Sequence, residues 1–253
     1  TKPWLPISSY YLFFNSRFDG SGESSIMLDV QLRRSPYKTR FSPVECGGLY
    51  RCAQQVELPL AASIAGDKLL TMGPSTLGIP LGKNKQAQRL KHVYDVSSLM
   101  ETMPDLDDIR ESFFATLEHE NSIQEKSVSA REVMDDTIAF CATVTRHAQR
   151  PEQLDTLEPV LRENTEGLPD FAGHLFADAY AWTDLQRDMA RVAYCIAAVC
   201  TPKISPDAFR QVLSTGADQA PPSVELPDGI TGNPVGQYFW AHMVDCRLLI
   251  DDR

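Results

Sequence analysis

The chain has 253 residues, 43% of them hydrophobic and 23% charged, with a formal net charge of −10. These proportions exclude a disordered or fibrous protein, and the acidic balance excludes one that coats nucleic acid by bulk electrostatics. No apolar run approaches the roughly 20 residues that span a bilayer, and no basic segment followed by an apolar one opens the chain as a secretory signal would, so a cytoplasmic protein without a membrane partner is expected.

Tyr10-Tyr11-Leu12-Phe13-Phe14 reads as a strand, aromatic and apolar enough to be buried on both faces. Asp19-Gly20-Ser21-Gly22-Glu23 is a turn cluster. After it, Ile26, Leu28, Val30 and Leu32 alternate with Met27, Asp29, Gln31 and Arg33. That period of two predicts a second strand and a hairpin, with Asp29, Gln31 and Arg33 on the face opposite the core. Val56-Glu57-Leu58-Pro59-Leu60 predicts a third short strand, its proline favouring an edge.

From there the pattern is helical. A helix is predicted from Ala61 to Met72, stopping near Gly73-Pro74; a Gly- and Pro-rich loop to Lys83 and a second helix from about Lys85 to Thr102 follow. Met103-Pro104 is the expected boundary, with residues 1–103 as sheet plus helices and residues 104–253 as an all-helical domain. Ser129-Ala130-Arg131-Glu132 has the S-x-x-E form of a capping box and opens a helix to about Ala148. Leu185, Met189, Val192, Ile196 and Val199 recur at helical spacing as one apolar stripe. Ser205-Pro206 and Asn233-Pro234 each set a capping side chain before a proline, the second opening a last helix to about Ile250. Thr215 to Asn233 reads as a long loop, and the helical setting of Tyr180, Trp182, Phe239 and Trp240 favours core packing.

Cys46 and Cys52 flank Gly47-Gly48, while Cys141, Cys195 and Cys200 lie on apolar helical stretches. Neither these nor Cys246 show the spacing of a zinc site, so free thiols in a reducing compartment are expected. His119, His147, His174 and His242 show no ligand spacing either. Basic residues cluster early, as Arg33, Arg34, Lys38 and Arg40 and again as Lys83, Lys85, Arg89 and Lys91.

Three features of the first hundred residues carry chemistry together: Asp29 between apolar neighbours, Lys68 on the first helix, and the run Arg89-Leu90-Lys91-His92-Val93-Tyr94-Asp95 on the second. Transfer of a nucleotidyl group from a triphosphate needs carboxylates to hold a divalent metal and cations to neutralise phosphate oxygens. A strand aims a carboxylate to one side, and a helix lysine supplies the point charge. Arg89, His92 and Asp95, spaced by three, are expected along one helical face addressing one pocket. Taken singly, Lys91 and Asp95 at i,i+4 are also an ordinary helix pair, and Asp29 a solvated strand residue.

Ala65-Gly66-Asp67-Lys68-Leu69, then a loop, then Lys91-His92-Val93-Tyr94-Asp95 resembles the two helical motifs of the AbiEii/AbiGii toxin family; the likeness covers about residues 10 to 102. The resemblance implies an α+β chain, a nucleotidyltransferase-like mixed sheet with helices, followed by the all-helical C-terminal bundle. It implies transfer of a nucleotide from an NTP, with Mg²⁺ or Mn²⁺, to RNA (tRNA among the acceptors) or protein, in a toxin–antitoxin or phage-defence system with an antitoxin as partner. Carried over by position, Lys68 matches the lysine that contacts the NTP, Asp95 the aspartate of the last motif, and Asp29 the third carboxylate, at the metal. His92 stands where relatives carry Asp or His, and Arg89 and Lys91 join Lys68 and His92 as substrate-binding residues.

The family's opening signature is Gly-Ser, a helical turn or two, then Asp-x-Asp or Asp-x-Glu on a strand. Gly20-Ser21 stands too close to Asp29 for that helix, and Gln31 replaces the second acid. The metal-binding pair is therefore expected upstream of Thr1, and this chain is expected to be the later part of the catalytic domain, inactive alone. Two readings from other classes stay open: a non-catalytic module of the same fold that engages a protein such as an antitoxin, to which the acidic second half is suited, and an RNA-binding domain without transfer activity.

Overall fold

A computed structural model of the chain describes residues 7–16, 22–32, 35–46, 48, 50–175, 180–215, 225–227, 229–230 and 234–251. It divides into two compact units, 1–36 and 37–253. The expected turn at Asp19 to Ser21, the basic pair Arg33 and Arg34, and most of the loop from Thr215 to Asn233 lie outside the described residues.

The first unit is an antiparallel hairpin of β1 (Ile7–Phe14) and β2 (Ser24–Gln31). Its register sets Tyr10 against Leu28 and Leu12 against Ile26 on one face, and Tyr11 against Met27 and Ser9 against Asp29 on the other. Asp29 thus lies opposite the face of Ile26, Leu28 and Val30, as its alternation indicated. Burial of the first strand on both faces is not what the hairpin shows: Tyr10, Tyr11, Leu12, Phe13 and Phe14 are 45–67% exposed. Aromatic and branched residues select the extended backbone by their own preference, whether or not a layer covers them.

The second unit opens with another antiparallel hairpin, β3 (Thr39–Cys46) and β4 (Tyr50–Pro59). A register shift between Pro43 and Val44 absorbs the proline, which has no N–H for the ladder. The strand expected at Val56 is the end of the longer β4. All pairing among the described residues is antiparallel, in two two-stranded sheets. The chain is α+β; the mixed sheet expected of it is not formed among these residues.

Eight helices follow among the described residues: α1 (Ala61–Leu69), α2 (Gln86–Glu101), α3 (Leu106–Gln124), α4 (Ala130–Thr145), α5 (Pro159–Ala172), α6 (Trp182–Cys200), α7 (Pro206–Thr215) and α8 (Pro234–Asp251). Ser129 and Glu132 form the capping box that starts α4, and Asp105 accepts from the backbone of Asp107 and Asp108 to start α3. α6 runs through the middle. Its stripe of Leu185, Met189, Val192, Ile196 and Val199 is buried against α2, α4 and α8, and Trp182, Phe239 and Trp240 are core residues beside it.

The boundary anticipated at Met103-Pro104 does not separate two bodies. α1 packs on α3, and α2 packs on α5 and α6, so helices from both sides of that point share one core. Cys52, Cys141, Cys195, Cys200 and Cys246 are free thiols; the side chain of Cys46 lies outside the described residues. No described helix is long and apolar enough to cross a membrane.

Candidate functional site

The site starts from a helix crossing. A Cβ on Gly66 would stand 2.7 Å from the Ile109 carbonyl oxygen and the Phe113 amide nitrogen. Only glycine lets α1 approach α3 this closely, and Ser112 Oγ donates to the Ser63 carbonyl at 2.7 Å across the same contact. The orientation of α1 is thereby fixed, and with it the direction in which Lys68 leaves its last turn.

Lys68 Nζ reaches Asp95 Oδ2 on α2 at 2.8 Å, and Lys91 Nζ reaches the same oxygen at 2.7 Å. Lys68 and Asp95 are each 22% exposed, whereas Lys91 is 58% exposed. Burial pushes the Asp95 carboxyl up, but hydrogen bonds from Lys68 and Lys91 outweigh it and hold the group below the ordinary carboxylate range. The three groups together carry one net positive charge.

His92 joins them through a residue that sequence reasoning passed over. Its Nδ1 lies 2.7 Å from Thr71 Oγ1, which also donates to the Lys68 carbonyl at 2.8 Å. With the hydroxyl proton directed to that carbonyl, the ring is the Nδ1–H tautomer. Burial lowers the imidazole pKa, the Lys68 charge lowers it further, and it falls to about 4 despite Asp95. His92 is therefore neutral at neutral pH.

Arg89 goes elsewhere, which corrects its expected role in binding substrate. Its side chain is fully buried, donating to Glu163 Oε2 at 2.9 Å and to the carbonyls of Ile79 and Pro80 at 3.2 Å. Glu163 Oε1 accepts from the Gly82 amide at 2.6 Å. This pair pins the loop before α2 to α5. The cause is helical geometry: each step of three residues falls about 60° short of a turn, so Arg89 and Asp95, two steps apart, diverge by about 120°. Arg89 instead joins the buried side of α2 with Leu90, Val93, Val96 and Met100.

Asp67, inside the same short motif, also turns away from the cluster. Burial raises its carboxyl, against a hydrogen bond from Tyr37 that lowers it. Beside it, the Lys38 amide donates to Ser63 Oγ, and Lys38 Nζ pairs with Asp108 and Glu111 at 2.7 Å. This strip anchors the chain entering β3 to α1 and α3.

Asp29 belongs to the first unit, where Ser9 Oγ donates to its Oδ1 at 2.5 Å. It offers one carboxylate, and among the described residues no group of three or more His, Cys, Asp or Glu is arranged to hold a metal ion. The residues described do not make a complete donor set for the Mg²⁺ or Mn²⁺ that the resemblance implies.

Two clefts open beside the cluster. Asp95 and Lys91 line one of about 450 Å³ with Ala87, Tyr94 and Phe171. Thr71 lines another of about 410 Å³ with Gly78, Lys83 and Lys85. Cations, a neutral imidazole, a carboxylate and a partly apolar recess are thus gathered around the middle of α2, an arrangement suited to an anion with an organic body. No family profile, curated protein or solved structure matches this chain.

Proposed function

We propose that this chain is a nucleotidyltransferase-like protein of the AbiEii toxin type, which moves a nucleotide from an NTP to RNA, tRNA included, or to protein. The observation that supports the reading is the junction of Lys68, Asp95 and Lys91. Residues of two separate helical motifs converge there on one carboxylate oxygen. In such a transfer an acceptor hydroxyl oxygen bonds to the α-phosphorus as the bond to pyrophosphate breaks, and the hydroxyl proton leaves to a base. Lys68 supplies fixed positive charge to the phosphate oxygens. Asp95 positions it, and Lys91, the more exposed of the two cations, can leave Asp95 for phosphate. An imidazole held near 4 is a weak general base, so His92 is assigned to positioning Thr71 and the end of α1. A divalent ion, when bound, would neutralise triphosphate charge.

The test is transfer of label from NTPs to total RNA, tRNA and protein, alongside NTP binding, with Lys68→Ala as control. Loss of both signals in Lys68→Ala is expected. A protein that binds no NTP and labels no acceptor overturns the reading. The second reading, a non-catalytic module engaging a protein such as an antitoxin, is favoured by the exposed apolar residues of β1 and β2, Tyr10, Leu12, Phe14, Ile26 and Leu28 among them. Stable association with such a partner, insensitive to Lys68→Ala and without NTP binding, would select it.

A further inference from the structure

The cleft between α2 and the carboxyl end of α5 is built differently from the polar cluster on its rim. Its wall is aromatic: the rings of Tyr94 and Phe171 stand 5.6 Å apart, and Tyr180 meets both edge-on from behind at 5.8 and 5.1 Å. The Tyr180 hydroxyl donates to the buried carboxylate of Asp188 at 2.7 Å, and Ser97 on α2 donates to the other oxygen of that carboxylate at 2.8 Å. The wall is therefore clamped from α6 and needs little ordering when something packs on it. On the rim stand Lys91 and Asp95. At about 450 Å³ the space falls within the roughly 300–1,000 Å³ of small-ligand sites, which suits a nucleoside and is too small for a protein helix.

We infer that this cleft seats a nucleobase against Tyr94, the partly exposed ring of a wall that buried Phe171 backs, with the phosphate of the same nucleotide directed to Lys91. Stacking on an aromatic face tolerates any base, since every base has a π-face. The charges set the orientation. The rim cluster carries one net positive charge, while the carbonyl end of α5 is the negative end of a helix dipole. Phosphate therefore lies toward Lys91, and the base toward His174 and the end of α5. A purely apolar ligand would leave Lys91 and Asp95 unused. The inference rests on the nucleotidyltransferase reading for its phosphate partner, and the base has two sources, the NTP or the terminal nucleotide of an RNA acceptor.

Calorimetric titration with each of the four NTPs, with inorganic tripolyphosphate, and with a short single-stranded RNA distinguishes the cases. Ala87→Phe fills the cleft; Gln88→Trp, at an exposed position on its mouth, blocks it where the first variant fails to reach the wild-type melting temperature. Either variant is expected to weaken NTP or RNA binding at least tenfold and to leave tripolyphosphate binding unchanged. Loss confined to NTPs assigns the base to the donor, and loss confined to RNA assigns it to the acceptor. Folded variants that bind every probe like the wild type overturn the inference while Lys68→Ala still tests the parent reading. A wild-type protein that binds tripolyphosphate but neither NTPs nor RNA more tightly overturns the inference alone, and one that binds no probe overturns both.

Discussion

Lys68 and Lys91, on different helices, donate to the same oxygen of Asp95, at 2.8 and 2.7 Å. The two contacts are unequal because their exposures are. Lys91 is an i,i+4 partner reaching in from solvent, a kind of pair that contributes about 0.3–0.5 kcal/mol. Lys68 is mostly enclosed and cannot easily turn to water. Asp95 is therefore the keystone of the cluster and Lys91 its detachable part.

In urea unfolding, Lys91→Ala is expected to change stability by about 0.5 kcal/mol or less. Asp95→Asn leaves two ammonium groups facing each other, one of them mostly enclosed, and is expected to destabilise by about 1–3 kcal/mol. Adding Lys68→Met to Asp95→Asn should restore part of that loss. Equal small effects of the two single variants, with no coupling, would show that the junction is an ordinary surface arrangement.

His92 predicts a pH dependence of definite sign. Its folded pKa is lowered to about 4 from 6.5, by burial first and Lys68 second. Between those values the unfolded chain takes up a proton that the folded chain refuses. The stability tied to His92 is thus complete above about pH 6.5 and is lost as pH falls toward 4, with an upper bound of about 3 kcal/mol that partial solvent access reduces. Asp95, held low by its lysines, loses its contribution only below the ordinary carboxylate range. Asp67, raised by burial, acts in the opposite direction, its stability falling as pH rises through its folded value. Comparing His92→Gln with the wild type isolates the imidazole: the variant should lose less stability between pH 6.5 and 4. Parallel curves would show that His92 titrates freely.

Local signals in the sequence located elements well and their partners poorly. The Ser129–Glu132 capping box and the α6 stripe are legible because hydrogen bonds and periodicity within a few residues determine them. β3 left little signal, since Pro43 interrupts its pattern and a register shift, invisible in one strand alone, repairs the pairing. In the site, Lys68 and Asp95 were legible as types, but Thr71 was not, because its role depends on where α1 ends. Glu163 and Phe171 enter through α5, more than seventy residues from Arg89 and Tyr94, and no local pattern announces either contact. The misplaced Arg89 had a readable clue: four residues before Val93 and one before Leu90, it falls on the apolar stripe of α2.

Arg89 and Glu163 test that correction. Removing one member of a buried ion pair leaves the other charge uncompensated, at about 3–5 kcal/mol. Arg89→Met should destabilise by about that amount and render the loop from Ile79 to Gly82 sensitive to protease, since the arginine holds its carbonyls. The Arg89→Met/Glu163→Met double variant should lose less than the sum of the single ones. The folded fraction of Arg89→Met should bind NTPs as the wild type does. Wild-type stability with binding lost would return Arg89 to the substrate.

Gly167 is where α5 rests on α2, and so where the width of the aromatic cleft is set. A Cβ there would come within 2.6 Å of the Gln86 Cβ and 3.0 Å of the Gln86 carbonyl carbon. The second of these is backbone and cannot swing aside. Alanine is the better helix former by about 1 kcal/mol, but overpacking a fixed crossing costs about 1–3 kcal/mol. Gly167→Ala is therefore expected to destabilise by up to about 2 kcal/mol and to move α5 outward, separating Phe171 from Tyr94. Gly173 provides the control: it follows the end of the same helix, its nearest atoms to an added Cβ are at 3.5 Å, and its φ of −66° suits alanine. Gly173→Ala should be neutral or slightly stabilising. Thermal melts that rank the two variants in the other order would mean that the crossing can relax and does not set the cleft.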